Sequence, residues 1–258
     1  MKLSVSNALG GLLCLSSTSL VAAEQTPLST PTPIPGQAAP VPKTYGMLLF
    51  RGFELLDVFG PLEALSVVAR RTKIDLYLLA ETLDPVTTEP LMPSMNRFNS
   101  SFFPTVNPTH TLADAPDIDV LIVPGGIGTR SPYLNDTIDW IAETYPKVQY
   151  LLTVCTGSAL VAKSGVLDGR RATTNKASWS SVITFGPNVE WVPKARWVVD
   201  GNIWSSSGIS AGIDATMAFI EYLYGADNAT EIANIMEYER HTDPEWDPFS
   251  EIWGVTRA

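Results

Sequence analysis

From Tyr45 onward the chain alternates short, almost wholly apolar runs with segments in which apolar residues recur every three or four positions. A strand that is apolar on both faces must be covered on both faces, and intervening helices are the usual cover. Strands are predicted at Tyr45–Phe50, Ile74–Ala80, Asp119–Val123 and Gln149–Val154. Helices are predicted at about Pro61–Arg71, from Ser131-Pro132 to about Tyr145, and at Thr156–Lys163, where Gly165 supplies the stop. A hairpin follows, with Arg196–Val199 turning at Asp200-Gly201 into Ile203–Ser205, and two helices, about Gly212–Tyr224 and Ala229–Tyr238, complete the pattern. The sum is one α/β domain over residues 44–258, a three-layer sandwich of flavodoxin-like type with a mostly parallel central sheet.

The first 43 residues do not fit this pattern. Lys2, an apolar stretch from Ala8 to Leu20 and the small residues Val21-Ala22-Ala23 read as a secretory signal over residues 1–23. The apolar run is broken by Gly10, Gly11 and a Ser-Ser-Thr-Ser stretch, and falls short of the roughly 20 residues of a membrane span. Residues 24–43 carry six prolines among threonines, which reads as an extended, solvated linker. Secretion is therefore expected, with no membrane attachment after cleavage. The sequons at Asn99, Asn135 and Asn228 are expected N-glycosylation sites on the same reasoning.

Composition narrows the partners. The formal net charge is −10, and loss of Lys2 with the signal makes it one unit more negative. Such a surface repels phosphate backbones and anionic lipid heads, so no nucleic-acid partner is expected. Two cysteines, Cys14 and Cys155, and two histidines, His110 and His241, are too few for a disulfide framework or a Cys/His zinc site. Cleavage would remove Cys14 and leave Cys155 as the sole thiol.

In open α/β sheets ligands bind at the carboxyl ends of the strands, so the informative loops follow Phe50, Val123 and Val154. Thr153-Val154-Cys155-Thr156-Gly157-Ser158 puts the thiol between a buried strand and a helix, as a nucleophile elbow does, with Gly157 expected to allow the tight turn. Amide dipoles at a helix start favour a thiolate, and the elbow spacing together with the loss of every other thiol favours a functional Cys155 over an inert apolar one. Pro124-Gly125-Gly126-Ile127-Gly128 offers bare backbone amides, and beside the elbow the Gly126 and Thr156 amides are the expected oxyanion donors. Asp57, flanked by Leu55-Leu56 and Val58-Phe59, is expected to be poorly solvated and to exchange a proton near neutral pH. A capping aspartate ahead of a helix beginning at Gly60-Pro61 is an equal alternative from spacing alone. Asp214 is expected to satisfy a helix start, and Trp179, Trp191, Trp197 and Trp204 to lie in the core.

Five motifs in order, Leu56-Asp57-Val-Phe-Gly60-Pro61, Val123-Pro124-Gly125-Gly126, Val154-Cys155-Thr156-Gly157-Ser158, Gly169-Arg-Arg-Ala172-Thr173-Thr174 and Gly208-Ile-Ser-Ala211-Gly212-Ile-Asp214, punctuate a body that runs from about Tyr45 to Phe249. Together they resemble the ThiJ/PfpI superfamily of the class I glutamine-amidotransferase-like fold, and most closely its isonitrile (isocyanide) hydratase branch. The resemblance implies catalysis by Cys155 as nucleophile and Asp57 as proton partner, with Thr156 beside them and a small-molecule substrate. It also implies a homodimer and a reaction that requires no metal and no organic cofactor. One departure stands out: where many relatives place a histidine after Ala-Thr-Thr, this chain has Asn175-Lys176. Asn175 cannot act as a base, which lowers the rank of activities that need a Cys–His pair. His241 is read as a surface or tail residue and His110 as a loop residue. The expected function is a secreted cysteine-dependent hydratase or hydrolase forming N-formamide from an isocyanide through a Cys155 thioimidate. The alternative is a non-catalytic thiol redox sensor or binding module of the same fold.

Overall fold

The computed structural model describes residues 40–255. The expected signal and most of the expected linker fall in residues 1–39, outside the described residues. The strands are β1 (Thr44–Leu48), β2 (Asp75–Ala80), β3 (Val86–Thr87), β4 (Thr105–Val106), β5 (His110–Thr111), β6 (Val120–Val123), β7 (Tyr150–Thr153), β8 (Arg171–Ala172), β9 (Glu190–Trp191), β10 (Trp197–Asp200) and β11 (Ile203–Ser206). The helices are α1 (Leu55–Ala69), α2 (Asn135–Thr144), α3 (Gly157–Lys163), α4 (Trp179–Val182), α5 (Ala211–Tyr224), α6 (Ala226–Ile235) and α7 (Phe249–Ile252).

Seven strands form the central sheet in the order β10-β11-β7-β6-β1-β2-β5. Every neighbouring pair is parallel except β10 with β11, the expected hairpin. The central strands β6 and β7 are buried at every position, as their unbroken apolar sequences require. Helices α1, α5 and α6 pack against one another, and α2 packs against α3, so the sheet lies between two helical layers. Trp179, Trp191, Trp197 and Trp204 all sit in the core, with Trp204 edge-to-face on Phe219 at 5.3 Å.

Three local expectations are corrected. Helix α1 starts at Leu55, and Pro61 lies inside it. Burial outweighs the lost backbone bond there: Gly60 lets α1 approach α5 so closely that a Cβ on it would lie 2.8 Å from Ile213 Cγ1. Helix α2 starts at Asn135, since Ser131-Pro132 forms a turn in which Ser131 Oγ accepts from the Tyr133 amide. His110 is in β5, pairing in parallel with β2, where a loop was expected.

The sequons separate by environment. Asn99 and Asn135 are exposed. Asn228 is buried in α6, its Nδ2 donating to the Tyr224 carbonyl at 2.6 Å, and a glycan on that nitrogen is incompatible with this packing.

Candidate active site

The parallel strands β6 and β7 end side by side, and the loops after them meet the segment leading into α1. The Glu54 amide donates to the Gly125 carbonyl at 2.9 Å, and the Gly125 amide donates to Asp57 Oδ2 at 2.9 Å. These two bonds fasten the start of α1 onto the Pro124-Gly125-Gly126 loop. Gly125 has to be glycine, because a Cβ there would lie 2.5 Å from the Thr156 amide and 2.8 Å from Asp57 Oδ2. Asp57 therefore stands in the first turn of α1, not in a loop ahead of it. It is fully buried, and Oδ1 has no N–H or O–H donor. Burial pushes its pKa up to about 7; the Gly125 amide pulls the other way, the Glu54 charge adds to the rise, and a weak bond from the Cys155 thiol opposes it.

Cys155 follows β7 with φ of 57°, a left-handed backbone that a side-chain-bearing residue adopts only under constraint. The strain of the elbow is thus at the cysteine itself. Gly157 serves close approach, since a Cβ there would lie 2.2 Å from the Val123 carbonyl oxygen. The carbonyl of Cys155 accepts from Thr174 Oγ1 at 3.0 Å and from Ser158 Oγ at 3.2 Å, which holds the elbow from both sides. The thiol is free and buried.

A depressed thiol pKa was expected from the helix start, and the structure reverses the direction. Burial first, and then the Asp57 carboxylate, push the Cys155 thiol well above its ordinary value, while the Thr156 backbone amide and the Asn175 side chain oppose the rise. A seven-residue helix with its first residues buried beside a carboxylate offers too little positive potential to prevail. The resting pair is a thiol beside a carboxyl group poised near neutrality.

The expected oxyanion donors are placed differently from each other. The Gly126 amide is engaged, donating to Thr156 Oγ1 at 2.9 Å, whereas the Thr156 amide lies against the Cys155 sulfur. Thr156 Oγ1 also reaches the Gly126 carbonyl at 3.3 Å, so this side chain closes the loop over the elbow.

A pocket of about 210 Å³ opens over the thiol, with Glu54, Arg130, Asn175, Ser178 and Ile209 among its walls. No histidine lines it. His241 is exposed and stacks on Trp246 with ring centroids 4.0 Å apart. Ile209 belongs to the Gly208–Asp214 motif, whereas Arg130 and Ser178 come from two separate turns and carry no pattern in the sequence that marks them. Asp214, expected to satisfy a helix start, instead accepts from Arg196 Nε at 2.7 Å, Tyr238 Oη at 3.0 Å and the His241 amide at 3.0 Å. It anchors the carboxyl-terminal tail.

Residues 43–222 match the model of the DJ-1/PfpI family. The chain belongs to the DJ-1/PfpI family. Isonitrile hydratase from Pseudomonas putida is 35% identical over 196 residues, covering 75% of this chain and 77% of that protein. The HTH-type transcriptional regulator GbdR from Pseudomonas aeruginosa is 24% identical over 199 residues, 77% of this chain but 52% of the regulator, so the chain spans about half of that protein's length. A ThiJ/PfpI family protein from Pseudomonas syringae superposes with a TM-score of 0.64 at 25% identity, over 83% of each chain. Membership of the DJ-1/PfpI family accounts for the three-layer fold, while its members include both enzymes and regulators.

Proposed function

We propose that the protein is a cysteine-dependent hydratase that converts an isocyanide to an N-substituted formamide. The observation that carries this reading is the pairing of a strained, buried Cys155 with a fully buried Asp57 whose carboxyl titrates at about 7. Similarity to isonitrile hydratase over three quarters of the chain supports it.

In the proposed reaction the Asp57 carboxylate takes the thiol proton as the Cys155 sulfur bonds to the terminal carbon of the isocyanide. Asp57 returns that proton to the same carbon, leaving a thioimidate joined to sulfur. Water then adds to this carbon with Asp57 as base; one water proton goes to nitrogen and the other to sulfur as the carbon–sulfur bond breaks. The products are the N-formamide and the regenerated thiol. Isocyanide plus water equals formamide, so no redox partner enters the balance. Thiol attack coupled to proton removal suits a raised thiol pKa, because no standing thiolate is needed. Turnover in water enriched in heavy oxygen tests the scheme: enzyme-formed N-formamide acquires the label in its carbonyl, and its absence overturns the reading.

A redox sensor is the weaker proposal. Oxidation follows thiolate character and access, and here burial and Asp57 disfavour the thiolate. We also propose passage through the secretory pathway, tested by the amino-terminal sequence of protein recovered from a eukaryotic culture medium. Assembly as a homodimer is proposed as well, supported by the exposed Leu56, Phe249 and Trp253 that share one groove. Light scattering reads the mass directly.

A further inference from the structure

Asn175 occupies the position after Ala-Thr-Thr and lines the same pocket as Cys155. Its side-chain amide has two ends with different chemistry, and the fold assigns each one. Oδ1 accepts the Ser178 backbone amide at 3.1 Å, capping the turn at Lys176–Ser178. The donor end, Nδ2, is thereby turned away from that turn. It lies beside Gly208, 3.5 Å from where a Cβ there would sit, an ordinary van der Waals contact. On this side lies the pocket that Asn175 shares with Cys155, whose raised pKa the Asn175 side chain opposes.

The loop that carries Asn175 is braced on either side. Before it, Thr174 Oγ1 donates to the Cys155 carbonyl at 3.0 Å. After it, the buried Lys176 ammonium donates to Thr173 Oγ1 at 2.7 Å and to the Ala195 carbonyl at 3.2 Å, and pairs with Asp247 at 3.2 Å. A side chain so held has its donor in place before any substrate arrives.

We propose that Asn175 is the hydrogen-bond donor to the nucleophile, stabilising negative charge on the Cys155 sulfur without itself titrating. The charged groups facing the thiol are Asp57 from α1, Glu54 ahead of α1 and Arg130 from the turn after β6. Asn175 adds a donor to this set and no further titration. The inference rests on the reading of Cys155 as nucleophile, and not on which substrate it attacks.

The test is alkylation of Cys155 by iodoacetamide, followed by intact mass from pH 6 to 9.5, in wild type, Asn175→Ala and Asn175→Asp. Losing one hydrogen bond to a charged sulfur shifts the thiol midpoint upward by about one unit, so at pH 8 the Ala variant alkylates about tenfold more slowly. Asn175→Asp keeps an acceptor for the Ser178 amide and hence the cap, but has no donor for sulfur, and is expected to be slower still. Near-ultraviolet circular dichroism checks packing, and the Asp variant carries the test if the Ala variant unfolds. An Asp variant alkylating at the wild-type rate would reduce Asn175 to a cap and overturn the proposal, as would an unchanged Ala variant. Because alkylation reads the thiol directly, silence toward isocyanides sinks the hydratase reading alone.

Discussion

Replacing Asp57 by Asn should abolish turnover and yet make the protein more stable above neutral pH. In the unfolded chain an aspartate releases its proton near pH 3.9, whereas in the fold Asp57 holds it to about 7. Between those values the folded protein binds a proton that the unfolded chain has lost, so stability falls as pH rises through this window. It is fully present below about pH 4 and lost above the folded value. A difference of about three units at 1.36 kcal/mol each is about 4 kcal/mol. Asn can keep the acceptor for the Gly125 amide that Asp57 Oδ2 now provides. Its new NH₂ takes the place of Oδ1, which has no donor, and burying that NH₂ beside a weak sulfur acceptor costs about 1–3 kcal/mol. The variant should therefore be less stable than wild type by about 1–3 kcal/mol at pH 4 and more stable by a similar amount at pH 8. Urea unfolding followed by tryptophan fluorescence, at unit steps of pH, measures this difference, and other titrating groups cancel between the two proteins. A stability difference that stays constant from pH 4 to 8, or that moves toward wild type, would refute the assignment of a raised carboxyl to Asp57.

Other expectations follow from neighbouring contacts. The single-proton state of the Cys155–Asp57 pair is the active one, so kcat/KM should rise through about pH 7 and fall again as the thiol ionises; a profile flat between pH 5 and 8 would contradict this. Gly157→Ala drives a Cβ to 2.2 Å from the Val123 carbonyl, and should cost about 1–3 kcal/mol in urea unfolding along with most of the turnover. Asp247→Asn leaves the buried Lys176 ammonium without its counter-charge, with an expected loss of about 3–5 kcal/mol and a lower melting temperature. In a glycosylating host, peptide mapping should find sugar at Asn99 or Asn135 and none at Asn228.

The layers of this fold were legible because periodicity reports burial directly. Val-Leu-Ile-Val at 120–123 and Tyr-Leu-Leu-Thr at 150–153 can only be strands covered on both faces, and they are. What the sequence hid was set by distant contacts. The early start of α1 depends on its packing against Ile213, more than a hundred residues away, and this moved Asp57 from a presumed loop into a helix. The two-residue strands, such as His110–Thr111, are too short to show alternation and exist only because a neighbour's edge accepts them. At the site, the elbow was visible as Cys-Thr-Gly after a buried run. The direction of the thiol's pKa was not, since it depends on how deeply the sulfur lies and on a carboxylate ninety-eight positions earlier. Asn175 was marked in the sequence only as the absence of a histidine, and which end of its amide is left for the pocket emerges only once its cap to Ser178 fixes the side chain.

Parallel assay of wild type, Cys155→Ala and Asp57→Asn for N-formamide production from one aryl isocyanide tests the central claim most directly. Turnover by wild type with loss in both variants, each still folded, is the predicted result. Formamide production that survives in either variant, or that is absent from wild-type protein whose Cys155 is confirmed as the reduced thiol, would contradict it.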